Sequence, residues 1–321
     1  MTAKRDAYID IAKGICMLLI ICIHAEVFGV IGMPLTFIAV PMFFFMSGFY
    51  DRSEKPLNSW LIKSLRTLIL PAVVWTIVGR GYGMVLKYIK SGGVEPWNLN
   101  IYEPTEGNGP AWFLFSLLAV KVLTWLLLRL RLSGWKLVLG SVLVGYGGYH
   151  CNLPFYIDEG LVALPLYVIG KRIYPYIGRI VVNRRLALSS LVFVCVYILG
   201  YVQYVIGGGG SGFKPFYLVA LSVILLCFPS VLYISKSIEN KVCARSIEKF
   251  GGNSLGVMLL HAPMCHTAAV VLNRVFDVGS TIWVVMFLLA YVIIVLMSYW
   301  LTVLINHYCP ILLGKRVVKA A

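Results

Sequence analysis

The chain has 321 residues, of which 60% are hydrophobic and only 13% charged, and its formal net charge is +15. Soluble domains average about 45–50% apolar and about 25% charged residues, so this composition excludes an ordinary water-soluble globule. It points to one membrane domain spanning residues 1–321, and the basic residues fall in short joints between apolar runs, which assigns them to topology and argues against a nucleic-acid partner.

A helix needs about 20 mainly apolar residues to cross the hydrocarbon core. Such runs fall at 9–30, 34–50, 61–86, 111–130, 136–150, 158–175, 186–206, 215–235, 254–273 and 280–306. The expected fold is therefore all-α: a polytopic integral membrane bundle of about ten transmembrane helices. The first run lacks a small-residue cleavage pattern and contains ionisable groups, so it reads as a retained helix and not as a removed signal peptide. Pro41, Pro71, Pro165 and Pro263 fall inside runs, a pattern membrane helices tolerate when neighbours satisfy the freed backbone groups.

Orientation follows the basic residues. With Lys4 and Arg5 in the cytoplasm, the inner joints carry Arg52 to Arg66, then Arg129, Arg131 and Lys136, then Lys171 to Arg185, then Lys236 to Lys249, and the tail adds Lys315, Arg316 and Lys319. Counting Lys13, that places 22 of the 28 Lys and Arg inside, with both termini cytoplasmic. The exceptions are Arg80, Lys87, Lys90, Lys121, Lys214 and Arg274. Outside, a loop near 87–110 holds Glu95, Trp97, Tyr102, Glu103 and Glu106, and a flexible stretch runs from Gly207 to Gly212. No internal repeat is evident, which counts against transporter folds built from repeats.

The eight cysteines show no CxxC pair and mostly sit in apolar runs, so no disulfide framework is implied. The histidines do not cluster with Cys or carboxylates at ligand spacing, and no metal is expected.

The first run is the unusual one. Asp10, Lys13, His24 and Glu26 lie within or beside it, and ionisable groups inside a membrane are site candidates by default. Lys13 and His24 are 11 residues apart, close to three helical turns, so they share a face about 16 Å apart, with Asp10 one turn from Lys13. An imidazole can accept a hydroxyl proton near neutral pH, as acyl transfer requires. The same three groups also fit a simpler arrangement of interfacial anchor, ion-pair partner and interhelical hydrogen bonder. They equally fit the proton relay of a transporter or flippase for a glycan or lipid-linked intermediate.

Asp10-Ile11-Ala12-Lys13-Gly14 followed by His24 resembles the opening motif of the acyltransferase-3 family of integral membrane acyltransferases. Further pieces agree in family order: Pro41 to Phe49, a Phe-rich run ending Ser47-Gly48-Phe49; Lys63 to Arg66 leading to Leu70-Pro71; Ala111-Trp112-Phe113-Leu114; Leu164-Pro165 through Gly170-Lys171; and Gly252-Asn253-Ser254-Leu255 through His261-Ala262-Pro263. Lys13 stands where many members have Arg, and this form resembles the fucose-4-O-acetylase-like subgroup.

The resemblance implies transfer of an acyl group, usually acetyl from acetyl-CoA, to a carbohydrate hydroxyl. The acceptor would be a cell-surface glycan or glycolipid precursor met at a lipid-embedded, cell-membrane enzyme. It makes His24 the general base or proton relay and Lys13 its basic partner, meeting the donor's phosphates or carbonyl. Asp10 orients Lys13 or a water, or is a favourable N-terminal helix charge. Ser47 donates a hydrogen bond to substrate or simply permits close packing. Trp112 stacks on a sugar ring or anchors at the interface, and Asp158 and Glu159 open the sixth run on the acceptor side. Arg66, Lys171 and Arg172 form the donor phosphate site or serve topology alone. His261 matches the closing motif as a second proton-handling group or an interhelical hydrogen bonder, and Asn253 and Ser254 fit a helix N-cap.

Overall fold

A computed structural model of the protein describes residues 6–25, 32–93, 100–206 and 217–315. Glu26, Glu95, Trp97, the Gly207 to Gly212 stretch, Lys214, Arg316 and Lys319 lie outside the described residues. Every element among the described residues is helical. In chain order they are α1 (Ala7–His24), α2 (Gly32–Gly48), α3 (Leu57–Ser64), a π turn (Leu65–Ile69), α4 (Leu70–Ser91), α5 (Trp112–Arg129) and α6 (Gly134–Tyr149). They continue with α7 (Ile157–Ile173), α8 (Ile177–Ile180), α9 (Arg184–Ile206), α10 (Tyr217–Ile238), α11 (Val242–Gly252), α12 (Ser254–Val275) and α13 (Thr281–Tyr308). Short 3₁₀ turns precede α5 and α7 and follow α7 and α13.

Each expected apolar run coincides with a helix. Among the described residues, seven stretches are long and apolar enough to cross a membrane: α1, the joined α3–π–α4 rod, α5 with its 3₁₀ turn, α9, α10, α12 and α13. The other three, α2, α6 and α7, have 17, 16 and 17 residues. Two helices fall where the sequence shows only basic joints, the one-turn α8 and the longer α11. α11 turns Ala244, Phe250 and Gly251 inward and leaves Arg245 exposed, so it is an amphipathic surface helix packed on α1.

α1 is the hub, touching α2, α10, α11, α12 and α13. From α2 the packing passes to α7, and from α7 to α5 and α6. Of the most apolar window of α1, 61% is buried, against 17% in α9 and in α13. Those outer helices present Leu191, Val192 and Val196, and Leu289, Val292 and Leu296, outward. An outward face of that size and apolarity suits hydrocarbon and not water.

Two glycine crossings set the centre. A Cβ on Gly170 of α7 would collide with the Phe45 carbonyl of α2, and one on Gly48 with the Tyr167 carbonyl. Likewise Gly251 of α11 lies against the Asp10 carbonyl and the Gly14 amide, so α1 and α11 touch backbone to backbone. Small residues let membrane helices approach this closely and gain van der Waals contact where no hydrophobic drive separates helix from lipid.

Candidate active site

α1 carries its two chemical ends on one continuous rod. At the Asp10 end, the Lys13 ammonium donates to the Asp10 carboxylate at 3.5 Å and lies 5.5 Å from the centroid of the Tyr50 ring. Asp10 is only 6% exposed, because Gly251 brings α11 directly over it. His24 is the last residue of the helix and is exposed at its other end.

His24 does not stand alone. Its ring meets that of His261 on α12, with centroids 5.1 Å apart and planes tilted by 57°. His261 is fully buried. Its Nδ1 lies 3.1 Å from the Val257 carbonyl. A carbonyl only accepts, so that bond fixes the neutral tautomer with the proton on Nδ1 and leaves a lone pair on Nε2. Nε2 is buried without a hydrogen-bond partner among the described residues. Buried polar atoms normally find partners, so an imidazole with a spare acceptor beside an exposed imidazole can accept a hydrogen bond from that ring and hold its orientation.

A second ionic group lies where α2 ends. The Lys171 ammonium on α7 donates to Asp51 at 2.8 Å and to Glu54 at 2.9 Å. The Tyr167 hydroxyl donates to the other Asp51 oxygen at 2.7 Å, and the Ser53 hydroxyl and amide also reach that carboxylate. The Asp51 side chain is 1% exposed. Burial pushes its carboxyl up, but the hydrogen bonds from Lys171, Ser53 and Tyr167 outweigh burial and hold it below its ordinary 3.8. Lys171 is thus engaged with two carboxylates, which accounts for it without a donor phosphate. The sequence reading missed Asp51 and Tyr167; an acid directly after the Phe-rich run was the available signal.

The third feature is a cavity of about 670 Å³ bounded by α2, α5, α6, α7 and α10. Phe37, Phe44, Trp112, Tyr149 and Tyr217 give it aromatic walls, and Asn152, Asp158 and Glu159 supply polar groups. Trp112 starts α5, with its ring 6.2 Å from Phe44 and 6.3 Å from Tyr156. Phe155 and Tyr156 both adopt the left-handed backbone, at φ 58° and 56°, which non-glycine residues rarely tolerate. The Phe155 amide donates to Ile101, Ser116 donates to the Tyr156 carbonyl, and the Tyr156 hydroxyl pairs with Thr105. These bonds hold the strained turn and fix the α7 start that presents Asp158 and Glu159.

The structure therefore joins some sequence candidates and separates others. His24 and His261 meet, and Trp112 and Glu159 share the cavity. Neither histidine is among the residues lining that cavity, and neither is Ser47, which is half-buried beside the Gly48 crossing. Arg66 sits on the π turn and Arg172 is exposed on α7. Asn253 precedes α12 but makes no side-chain cap bond to it; its amide donates back to Lys249 and its oxygen accepts from Asn306. Among the described residues no group of three His, Cys, Asp or Glu is placed to hold a metal ion.

The rods and the lipid-facing outer helices define a multi-pass membrane protein, with two imidazoles in contact where α1 meets α12. A family profile described as an acyltransferase domain matches residues 6–307, nearly the whole chain, and the protein belongs to this acyltransferase-3 family. No curated protein and no solved structure matches it.

Proposed function

We propose that the protein is an O-acetyltransferase that moves an acetyl group from acetyl-CoA to a carbohydrate hydroxyl of a cell-surface glycan or glycolipid precursor. The observation that carries the reading is the contact of His24 with buried His261 inside a chain of the acyltransferase-3 family. His24 takes the proton of the acceptor hydroxyl as its oxygen attacks the thioester carbonyl; the C–S bond breaks, CoA leaves as thiolate, and the proton is returned to it. The Nε2 lone pair of His261 orients the His24 ring or shares its proton. Lys13, with Asp10 beside it, stays about 16 Å away along α1, a span that suits an extended pantetheine arm between a charged nucleotide and the imidazole. The aromatic, acid-rimmed cavity gives the acceptor sugar a stacking surface at Trp112 and hydrogen-bond acceptors at Glu159.

In this reading the chain is one domain in the cell membrane, crosses it ten times with both ends cytoplasmic, and groups with the fucose-4-O-acetylase-like members. The test is CoA release from acetyl-CoA by purified protein in nanodiscs, wild type beside His24→Ala, across a panel of sugars. Release that needs both an acceptor and His24 supports the proposal. Release unchanged in His24→Ala at normal protein levels sinks the mechanism. Failure of acetyl-CoA to bind wild type at all would shift the function to transport of a glycan or lipid-linked intermediate.

A further inference from the structure

Lys121 is the tenth residue of the 18-residue α5 and lies in the middle of an apolar run. Its ammonium sits 5.8 Å from the centroid of the Trp60 ring on α3. No ion pair or hydrogen bond to it exists among the described residues. The charged groups that act on it are Asp51, Lys63 and Arg52. Asp51, the one acid, is already committed to Lys171, Tyr167 and Ser53, so Lys121 faces an excess of positive charge. A cation placed this way in a membrane helix is costly and marks a site with a missing partner.

One more donor lacks an acceptor at the same contact. Trp60 is 5% exposed, and its indole N–H is buried without a partner among the described residues. The π turn Leu65–Ile69 follows α3 directly and packs against α5; single π turns inside helices occur frequently at functional sites. Trp and Lys side chains only donate, so the partner both lack is an acceptor-rich anion. Phosphate oxygens supply that acceptance, and charge-assisted bonds to phosphate are among the strong ones.

We propose that Trp60 and Lys121 form a binding site for a phosphate-type oxyanion between α3 and α5, beside the π turn. Under the acetyltransferase reading, on which this assignment rests for its first source, the oxyanion is the pyrophosphate of the acyl donor. An anionic lipid headgroup offers the same chemistry from the bilayer. Lys171, engaged with Asp51 and Glu54, is not part of this site.

The experiment uses the full chain in phosphatidylcholine nanodiscs, with coenzyme A as probe in one arm and added phosphatidylglycerol in the other. Binding is read by calorimetry and by the shift in unfolding temperature. Lys121→Gln is expected to weaken CoA binding on the order of ten-fold or more, the loss of one charge-assisted bond, while unfolding later than wild type without ligand, since a half-buried cation with no ion-pair partner has gone. Lys121→Arg keeps the affinity. Trp60→Phe deletes the N–H with little change of fold and weakens binding in the same direction. A phosphatidylglycerol shift present in wild type and lost in Lys121→Gln, without a CoA effect, assigns the site to lipid. Unchanged binding of both probes in Lys121→Gln and Trp60→Phe overturns the proposal. The two readings fail separately: a wild-type chain that binds CoA through Lys121 yet transfers nothing to any acceptor retains the anion site and loses only the transferase reading, whereas His24→Ala is expected to keep the binding and lose the transfer.

Discussion

Replacing Lys171 by Met leaves the Asp51 carboxylate, 1% exposed, without its cation. Removing one partner of a buried pair destabilises by about 3–5 kcal/mol. Lys171 is itself 19% exposed, and Tyr167 and Ser53 go on donating to Asp51, so the lower end, about 3 kcal/mol, applies. At about 2 °C per kcal/mol for a chain of this size, the unfolding temperature falls by about 6 °C. The assay is thermal unfolding of detergent-purified protein. The double variant Asp51→Asn with Lys171→Met removes both charges, keeps an acceptor for the Tyr167 hydroxyl, and recovers most of the loss. A Lys171→Met protein as stable as wild type, or a double variant as unstable as the single, refutes the ionic-lock account. A double variant that folds normally yet loses CoA affinity would instead return Lys171 to the donor site.

Other outcomes follow from the same geometry. His261→Phe keeps ring contact with His24 but removes the Nε2 lone pair, and CoA release should drop on the order of 10²-fold or more while the protein still purifies as a single species. Gly170→Ala drives a methyl into the Phe45 carbonyl and should lower stability by about 1–3 kcal/mol, read as an earlier unfolding transition; an unchanged transition would mean α2 and α7 are not in backbone contact. The depressed Asp51 carboxyl contributes stability that is complete above pH 3.8 and is lost as pH falls through its lower folded value. Between pH 5 and 2 wild type should therefore lose stability more steeply than Asp51→Asn, and parallel titrations would contradict the shift.

Apolar runs announced the helices well because a lipid solvent demands long uninterrupted hydrophobicity, and each of the ten runs became a helix. α11 escaped because its apolar residues occupy one narrow face and its basic ones, Arg245 and Lys249, read as a joint. At the site, the Lys13–His24 spacing was legible since a single helix fixes it. The meeting of His24 with His261 was not, because 237 positions of chain separate them and only the α1–α12 packing brings them together. Lys121 was visible as a lone cation in an apolar run, but its significance depends on Trp60 and on Asp51 being engaged elsewhere. The Asp51–Lys171 lock was hidden for the same reason: the α2–α7 glycine crossing, and not sequence proximity, makes it.

The three shortest of the ten expected spans are neighbours. α2, α6 and α7 contact one another in sequence α2–α7–α6 and all three bound the 670 Å³ cavity. At 1.5 Å per residue their 16 or 17 residues reach about 24–26 Å, short of the roughly 30 Å hydrocarbon layer. α6 turns Leu139 and Leu143 outward, so in a ten-crossing arrangement the adjacent lipid must compress to match it. With that number of crossings, the insulating layer is thinnest beside the cavity. Longer-chain lipids resist the dimple that the short helices impose.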